Sequence, residues 1–209
     1  MRTAGCVRPI LTAVVLGWFA SASVRVLGDE KSADASLATV PRFSLADAGG
    51  TVHTRDEWRA AKAVVLVFLG AECPVSNGYS PKFRELATRY QDRGVVTLGV
   101  YCDPTLTPEA AAAHAKEYGL PFATLLDPEQ ILAHGCGVQI TPEVVVALAT
   151  GDVVYRGRVD NRYSLDGKRR EEANVFDLES AIEATLAGKR PAVRETKAFG
   201  CPLPKLKAK

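Results

Sequence analysis

Residues 63–70 read Ala-Val-Val-Leu-Val-Phe-Leu-Gly, and after Ala71 and Glu72 comes Cys73-Pro74-Val75-Ser76. An unbroken Val-rich apolar run of this length is a strand covered on both faces. Proline is accepted in the first turn of a helix. Further on, Phe83, Leu86, Ala87 and Tyr90 recur at helical spacing between Pro81 and Arg93. Cys73 therefore lies at a strand-to-helix turn, on the sheet edge where ligands and reactions gather in α/β folds. Unpaired N–H groups and the helix dipole favour a negative sulfur there. Glu72 opposes it with a like charge.

Working outward, Val95 to Tyr101 is a second strand. Thr107 to Tyr118 is an alanine-rich helix, with Thr107 as N-cap and Pro108 at its first position. Phe122 to Leu126 is a short strand, and Pro128 to His134 a short helix ended by Gly135. Glu143 to Ala149 and Val153 to Gly157 form a hairpin about Thr150-Gly151-Asp152. Asn161 to Glu172 is a polar loop. Val175 to Ala187 is a final helix, capped by Asn174 and followed by Gly188. Upstream, Arg42–Leu45 and Thr51–Thr54 flank the turn Asp47-Ala48-Gly49-Gly50, and Arg55–Lys62 makes one or two helical turns. Strands alternating with helices predict an α/β domain over residues 39–190, a mixed central sheet with helices on both faces. Trp58 and Phe68 read as core.

The 209 residues are 47% hydrophobic and 24% charged, with formal net charge +2. These values exclude a largely disordered chain. They also exclude nucleic-acid binding driven by excess basic charge. Residues 10–20 form an apolar run shorter than the roughly 20 residues that span a bilayer. Ala20-Ser21-Ala22 fits a signal cleavage site, with a cut after Gly28 or an uncleaved anchor as alternatives. The expectation is a signal peptide over 1–22, a linker over 23–38 and a protein exported to the periplasm or beyond, with no membrane span once the signal is cut. Cleavage removes Arg2 and Arg8 and leaves basic and acidic side chains balanced.

Five cysteines are present, and Cys6 leaves with the signal. Cys73, Cys102, Cys136 and Cys201 remain in an oxidising compartment. Residues 191–209 read as a non-helical basic tail carrying Cys201 between Gly200 and Pro202. A solvated tail is the plain reading; one folded over the Cys73 edge is the alternative. Thr141-Pro142 follows the approach Gly135-Cys136-Gly137-Val138 and directly precedes a strand, a setting that can hold a cis proline, with a trans bond as the plain reading. His53, His114 and His134 show no metal-ligand spacing. His114, on an alanine-rich helix, reads as exposed. Arg156 and Arg158 read as a solvated hairpin edge. No metal or cofactor is expected.

The pattern resembles the thioredoxin superfamily, in its redoxin or peroxiredoxin-like (AhpC/TSA-like) branch. Cys73-Pro74-Val75-Ser76 stands where that superfamily has Cys-x-x-Cys, Pro81 matches its helix proline, and Gly137-Val138 with Thr141-Pro142 matches its approach to a cis proline. The strand and helix inserted between Cys73 and Pro142, and Phe43-Ser44-Leu45 with Gly49-Gly50, are redoxin-like. The resemblance spans residues 39–188. It implies a thioredoxin-like three-layer sandwich with a redoxin-type N-terminal hairpin and central insertion. Cys73 becomes the attacking thiol. Thr141 and Pro142, with Ser76, face the substrate, a protein or small-molecule thiol or disulfide.

The chain departs from the family's patterns in three places. Ser76 replaces the second cysteine, so a resolving thiol must come from elsewhere. Cys201 is the first choice, with Cys73–Cys102 and a structural Cys102–Cys136 pair as alternatives. The Pro-x-x-x-Thr-x-x-Cys of cysteine peroxidases has Leu66 and Gly70 at its Pro and Thr positions. Asn77 stands where copper-delivering relatives carry a second cysteine. The expected activity is thiol–disulfide exchange. A thiol peroxidase and a non-catalytic binding module are the alternatives.

Overall fold

The computed structural model describes Met1 and residues 37–206. The expected signal peptide and nearly all of the linker lie outside those residues. No helix among the described residues is long and apolar enough to cross a membrane.

The central sheet has five strands. Strand β3 (Ala63–Leu69) is buried along its whole length, as its uninterrupted apolar run requires. It pairs in parallel with β4 (Val95–Tyr101), which pairs in parallel with β5 (Thr124–Leu126). On its other side β7 (Glu143–Ala147) runs antiparallel, followed by β8 (Val153–Gly157). The sheet is mixed, as the sequence predicts. An N-terminal hairpin of β1 (Ser44–Ala46) and β2 (Val52–Thr54) precedes it. Its turn is tied by Asp47, whose carboxylate accepts the N–H groups of Gly49 and Thr51, both at 2.9 Å.

Alternation along β3 builds two cores. Val65, Val67 and Leu69 face α1 (Pro74–Gln91) and α4 (Asp177–Leu186), meeting Phe83, Leu86, Tyr90, Leu178 and Ile182; Ala111 of α2 (Pro108–Glu117) joins this side. Val64, Leu66 and Phe68 face the other side, where Trp58 of the 3-10 helix Arg55–Ala60 packs with Leu132 and Ala133 of α3 (Ile131–Gly135). The result is the expected three-layer sandwich. Trp58 and Phe68 are core, as expected.

Three local readings change. The last helix begins at Asp177, and its N-cap residue is Phe176, not Asn174. The side-chain oxygen of Asn161 accepts the N–H groups of Asn174 and Val175, at 3.0 and 3.1 Å, and holds both residues to the polar loop. His114 is buried. Its α2 face turns towards the sheet, where Tyr101 provides a polar partner. The described part of the tail keeps exposed side chains, Lys197 and Lys205 among them, but its backbone is tied to the domain. Arg156 and Glu195 form a parallel bridge and an ion pair, and Arg156 also donates to the Cys136 carbonyl at 3.1 Å. Arg156 is thus a clamp on the tail, not a free hairpin edge. Beyond it, β9 (Cys201–Pro202) pairs antiparallel with β6 (Ile140–Thr141).

Candidate active site

Cys73 is the N-cap of α1, immediately before Pro74. Its sulfur accepts the N–H of Ser76 at 3.5 Å. Its thiol donates to the Thr141 carbonyl at 3.2 Å. The Thr141-Pro142 peptide is cis, as the family resemblance implies. Cys73 itself is only 3% exposed.

Cys201 arrives from the other end of the chain. Its register partner in the β6–β9 ladder is Thr141. Its thiol lines the same cavity as the Cys73 sulfur. Burial, then the neighbouring Cys73 thiol and its charge, raise the Cys201 pKa above the ordinary 9.0. The pair faces an open cavity of about 170 Å³, lined also by Gly70, Glu72, Cys102 and Thr141.

The other two thiols differ. Cys102 lines the cavity, since β3 and β4 are parallel and end on one edge, yet it is 1% exposed. Burial, helped by the charges of Asp127 and Cys136, pushes its pKa up. Cys136 lies in the core cluster beside it, and burial pushes its thiol up to about 12. Cys73, Cys102, Cys136 and Cys201 are all free. Among the described residues no group of three or more His, Cys, Asp or Glu side chains is placed to hold a metal ion.

Ser76 does not take the position expected of it. It is fully buried, and its hydroxyl accepts the Gly70 N–H at 3.2 Å. It fastens the strand-to-helix turn instead of facing a substrate. Gly70 is fixed by space. A Cβ there would stand 2.6 Å from Thr141 Oγ1 and 2.8 Å from Cys73 Cβ. The threonine of the peroxidase pattern does not fit this turn as built.

Sequence reasoning missed two supports. The first is a buried chain behind the Cys73 loop. The Tyr101 hydroxyl meets His114 Nδ1 at 2.6 Å, His114 Nε2 meets Asn77 Oδ1 at 2.9 Å, and Asn77 Nδ2 donates to the Ala71 carbonyl at 2.9 Å. A neutral imidazole protonated on Nε2, accepting from Tyr101, satisfies every group. Burial pulls the His114 pKa below 6.5, outweighing the charge of Glu117 and the Ala71 carbonyl. The second is Gln130, buried and in the left-handed region at φ 55°. Its side-chain NH₂ donates to the Cys102 carbonyl at 2.9 Å and to the Pro204 carbonyl at 2.7 Å. No sequence pattern marks Gln130.

The Redoxin family model matches residues 35–174. The chain belongs to the redoxin family. Among solved structures, a hypothetical protein from Sinorhizobium meliloti 1021 is 25% identical with a TM-score of 0.71, covering 82% of this chain and 94% of its own. An uncharacterized conserved protein from Geobacillus kaustophilus is 22% identical with a TM-score of 0.73, covering 83% and 94%. Peroxidoxin BcpB from Mycobacterium tuberculosis is 20% identical with a TM-score of 0.52, covering 73% and 94%. Comparison with curated proteins gives no match. These likenesses show the fold, the sandwich that the Cys73 and Pro142 motifs imply. The redoxin match ends before β9, so Cys201 belongs to a segment outside it.

Proposed function

We propose that this redoxin is an exported thiol–disulfide oxidoreductase with Cys73 as nucleophile and Cys201 as resolving thiol. The observation that carries the reading is that Thr141, bonded through its carbonyl to the Cys73 thiol and paired in register with Cys201, brings both cysteines to one open cavity. The apolar run over residues 10–20, with Ala20-Ser21-Ala22, supports export.

In the reducing direction, the Cys73 thiolate attacks one sulfur of a substrate disulfide. A Cys73–substrate bond forms, the substrate S–S bond breaks, and the departing thiolate takes up a proton. The Cys201 thiolate then attacks Cys73 Sγ. The Cys73–Cys201 disulfide forms and the second substrate thiol leaves protonated. Two electrons pass from the protein dithiol to the substrate, and an external dithiol reductant restores the pair. The steps run backwards when a dithiol substrate is oxidised.

Each residue of the site has a part in this. Ser76 N–H faces the sulfur that carries negative charge before attack. In the mixed disulfide Cys73 no longer carries charge, so that contribution to the raised Cys201 pKa is gone when Cys201 must ionise. Gly70 bears on the choice of oxidant. With no hydroxyl in the peroxidase threonine position, disulfide is favoured over peroxide as the substrate of Cys73.

The test is single-turnover reaction with a small disulfide, followed by intact mass. Cys73→Ser should form no adduct. Cys201→Ser should stop at a stable adduct on Cys73, whereas the wild type passes through it to an internal disulfide. An adduct that resolves equally fast without Cys201 contradicts the assignment.

A further inference from the structure

The parallel register of β3 and β4 sets Leu69 beside Tyr101. Both strands end there, so the residues just past each end share one edge of the sheet. Glu72 lies three residues beyond Leu69 and Asp103 two beyond Tyr101, and both line the cavity that Cys73 faces. The turn carrying Glu72 is pinned. The Cys73 N–H donates to the Gly70 carbonyl at 3.1 Å, and Asn77 Nδ2 to the Ala71 carbonyl at 2.9 Å. Asp103 is held by Thr105, whose N–H and hydroxyl donate to Asp103 Oδ1 at 2.8 and 2.7 Å. Among the described residues, no Lys, Arg or His lines the cavity. Lys205, next in the chain after Pro204, is exposed and lies outside that lining. We propose that Glu72 and Asp103 set the charge preference of the site, which takes small disulfides bearing cationic groups and turns anionic ones away. This rests on the reading of Cys73 as the nucleophile and adds the chemical class of what it attacks.

The balance of charge over the cavity decides the sign. The N-terminus of α1 contributes roughly half a positive charge, and its Ser76 N–H is directed at the Cys73 sulfur. Two carboxylates outweigh it, and the Cys73 thiolate adds to them in the state that attacks. The whole chain carries only +2, so no strong molecular field covers the local one. A cleft lined by one sign of charge raises the on-rate of an oppositely charged ligand by roughly 10- to 1,000-fold. This cavity is open and Glu72 is exposed, so screening keeps the effect at the lower end of that range. Its volume of about 170 Å³ is below the roughly 300–1,000 Å³ of sites for drug-sized ligands, and suits one arm of a small disulfide. The bond changes are those of the reducing direction above: the Cys73–substrate bond forms, the substrate S–S bond breaks, and the departing thiolate takes up a proton. An ammonium group on the arm in the cavity meets opposite charge, and a carboxylate there meets like charge.

The experiment uses reduced Cys201→Ser protein, in which the adduct stays on Cys73. It reacts at low ionic strength with cationic cystamine, neutral bis(2-hydroxyethyl) disulfide and anionic 3,3′-dithiodipropionate. Each rate is divided by that of free 2-mercaptoethanol with the same disulfide, which removes the disulfides' own differences in reactivity. Cystamine should then outrun dithiodipropionate about tenfold or more, with the neutral disulfide between them. Salt at about 0.5 M should bring that ratio below about threefold. Glu72→Gln with Asp103→Asn should do the same at low salt. A ratio taken within one protein cancels any change that the substitutions make in the reactivity of Cys73. The salt series needs no further substitution and decides the matter if the double variant does not fold. A ratio near one, or one that neither salt nor the double substitution lowers, overturns the proposal. If Cys73 is inert to all three disulfides, the oxidoreductase reading fails, and charged methanethiosulfonates still test the charge preference. The trimethylammonium reagent should cap Cys73 faster than the sulfonate reagent by the same corrected margin, and equal corrected rates overturn the proposal.

Discussion

The Thr141 carbonyl oxygen accepts the Cys73 thiol at 3.2 Å, across 68 residues of sequence. That bond joins the start of α1 to the cis-proline loop. Thr141 is also the register partner of Cys201, so one residue positions both thiols. Changes at the surrounding turn therefore have separable consequences.

Ser76 stands where a local resolving thiol would be, one turn into α1. Ser76→Cys in a Cys201→Ser background should restore turnover at least about tenfold over Cys201→Ser alone. Losing the acceptor of the Gly70 N–H costs stability on the order of 1 kcal/mol. Steady-state disulfide reduction checks the first part and urea unfolding the second. No recovery of turnover would mean that the site cannot hold a disulfide at this turn.

Gly70 is closed in by Thr141 Oγ1 and Cys73 Cβ. Gly70→Thr should destabilise the fold by roughly 1–3 kcal/mol through overpacking, and should not confer peroxide turnover. Thermal unfolding and a peroxide-consumption assay test this. Wild-type stability with a gain of peroxidase activity would contradict the packing argument.

The two histidines with resolved shifts should titrate on opposite sides of 6.5. For His114, burial lowers the pKa. Its stabilising contribution is fully present above 6.5 and is lost as pH falls through the folded-state pKa. For His53, burial pulls down, but hydrogen bonds to Asp47 and Glu57 and their charges outweigh it, and the pKa is raised. Its contribution is fully present below 6.5 and is lost as pH rises through the folded-state pKa. Imidazole NMR titration reads both. His114→Gln should flatten the loss of melting temperature below pH 6.5. A His114 midpoint above 6.5 would contradict the buried neutral assignment.

Gln130 is a non-glycine residue at φ 55°, a conformation that costs of order 1–3 kcal/mol outside glycine. Its clasp on Cys102 and Pro204 offsets that cost. Gln130→Ala keeps the strain and loses the clasp, whereas Gln130→Gly loses both. The glycine variant should be the more stable of the two by about 1 kcal/mol. Both should speed hydrogen exchange at the Leu203 amide, which pairs with Gln139. Unchanged Leu203 exchange in both variants would show that Gln130 does not hold the tail.

Much of this molecule is legible in residue types alone. The run over 63–70 gives the buried central strand because apolar burial on both faces leaves no room for alternation. Thr107 is the observed N-cap of α2, with its hydroxyl accepting the Ala110 N–H at 3.2 Å. Placing Cys73 on an edge needs only the order of strand and helix. The tail is different. Arg194, Lys197 and Lys205 look like solvent-facing charge, and the two-residue strand Cys201–Pro202 carries no periodicity. Its place is set by long-range partners, Thr141, Gln130 and Arg156, that no local window contains. His114 escapes for the same reason, since its polar partners Tyr101 and Asn77 lie on other elements. Ser76 stands at a motif position that implies a substrate contact, while its hydroxyl is committed to a backbone N–H only six residues away.

The central claim is that Cys73 and Cys201 form a reversible two-electron pair. The most direct measurement is disulfide mapping by mass spectrometry across a graded dithiothreitol redox buffer. The account predicts that Cys73 and Cys201 convert together between dithiol and one internal disulfide, while Cys102 and Cys136 stay thiols. A Cys73–Cys102 bond with Cys201 left free, or a Cys73–Cys201 bond that mild reductant leaves intact, would contradict it.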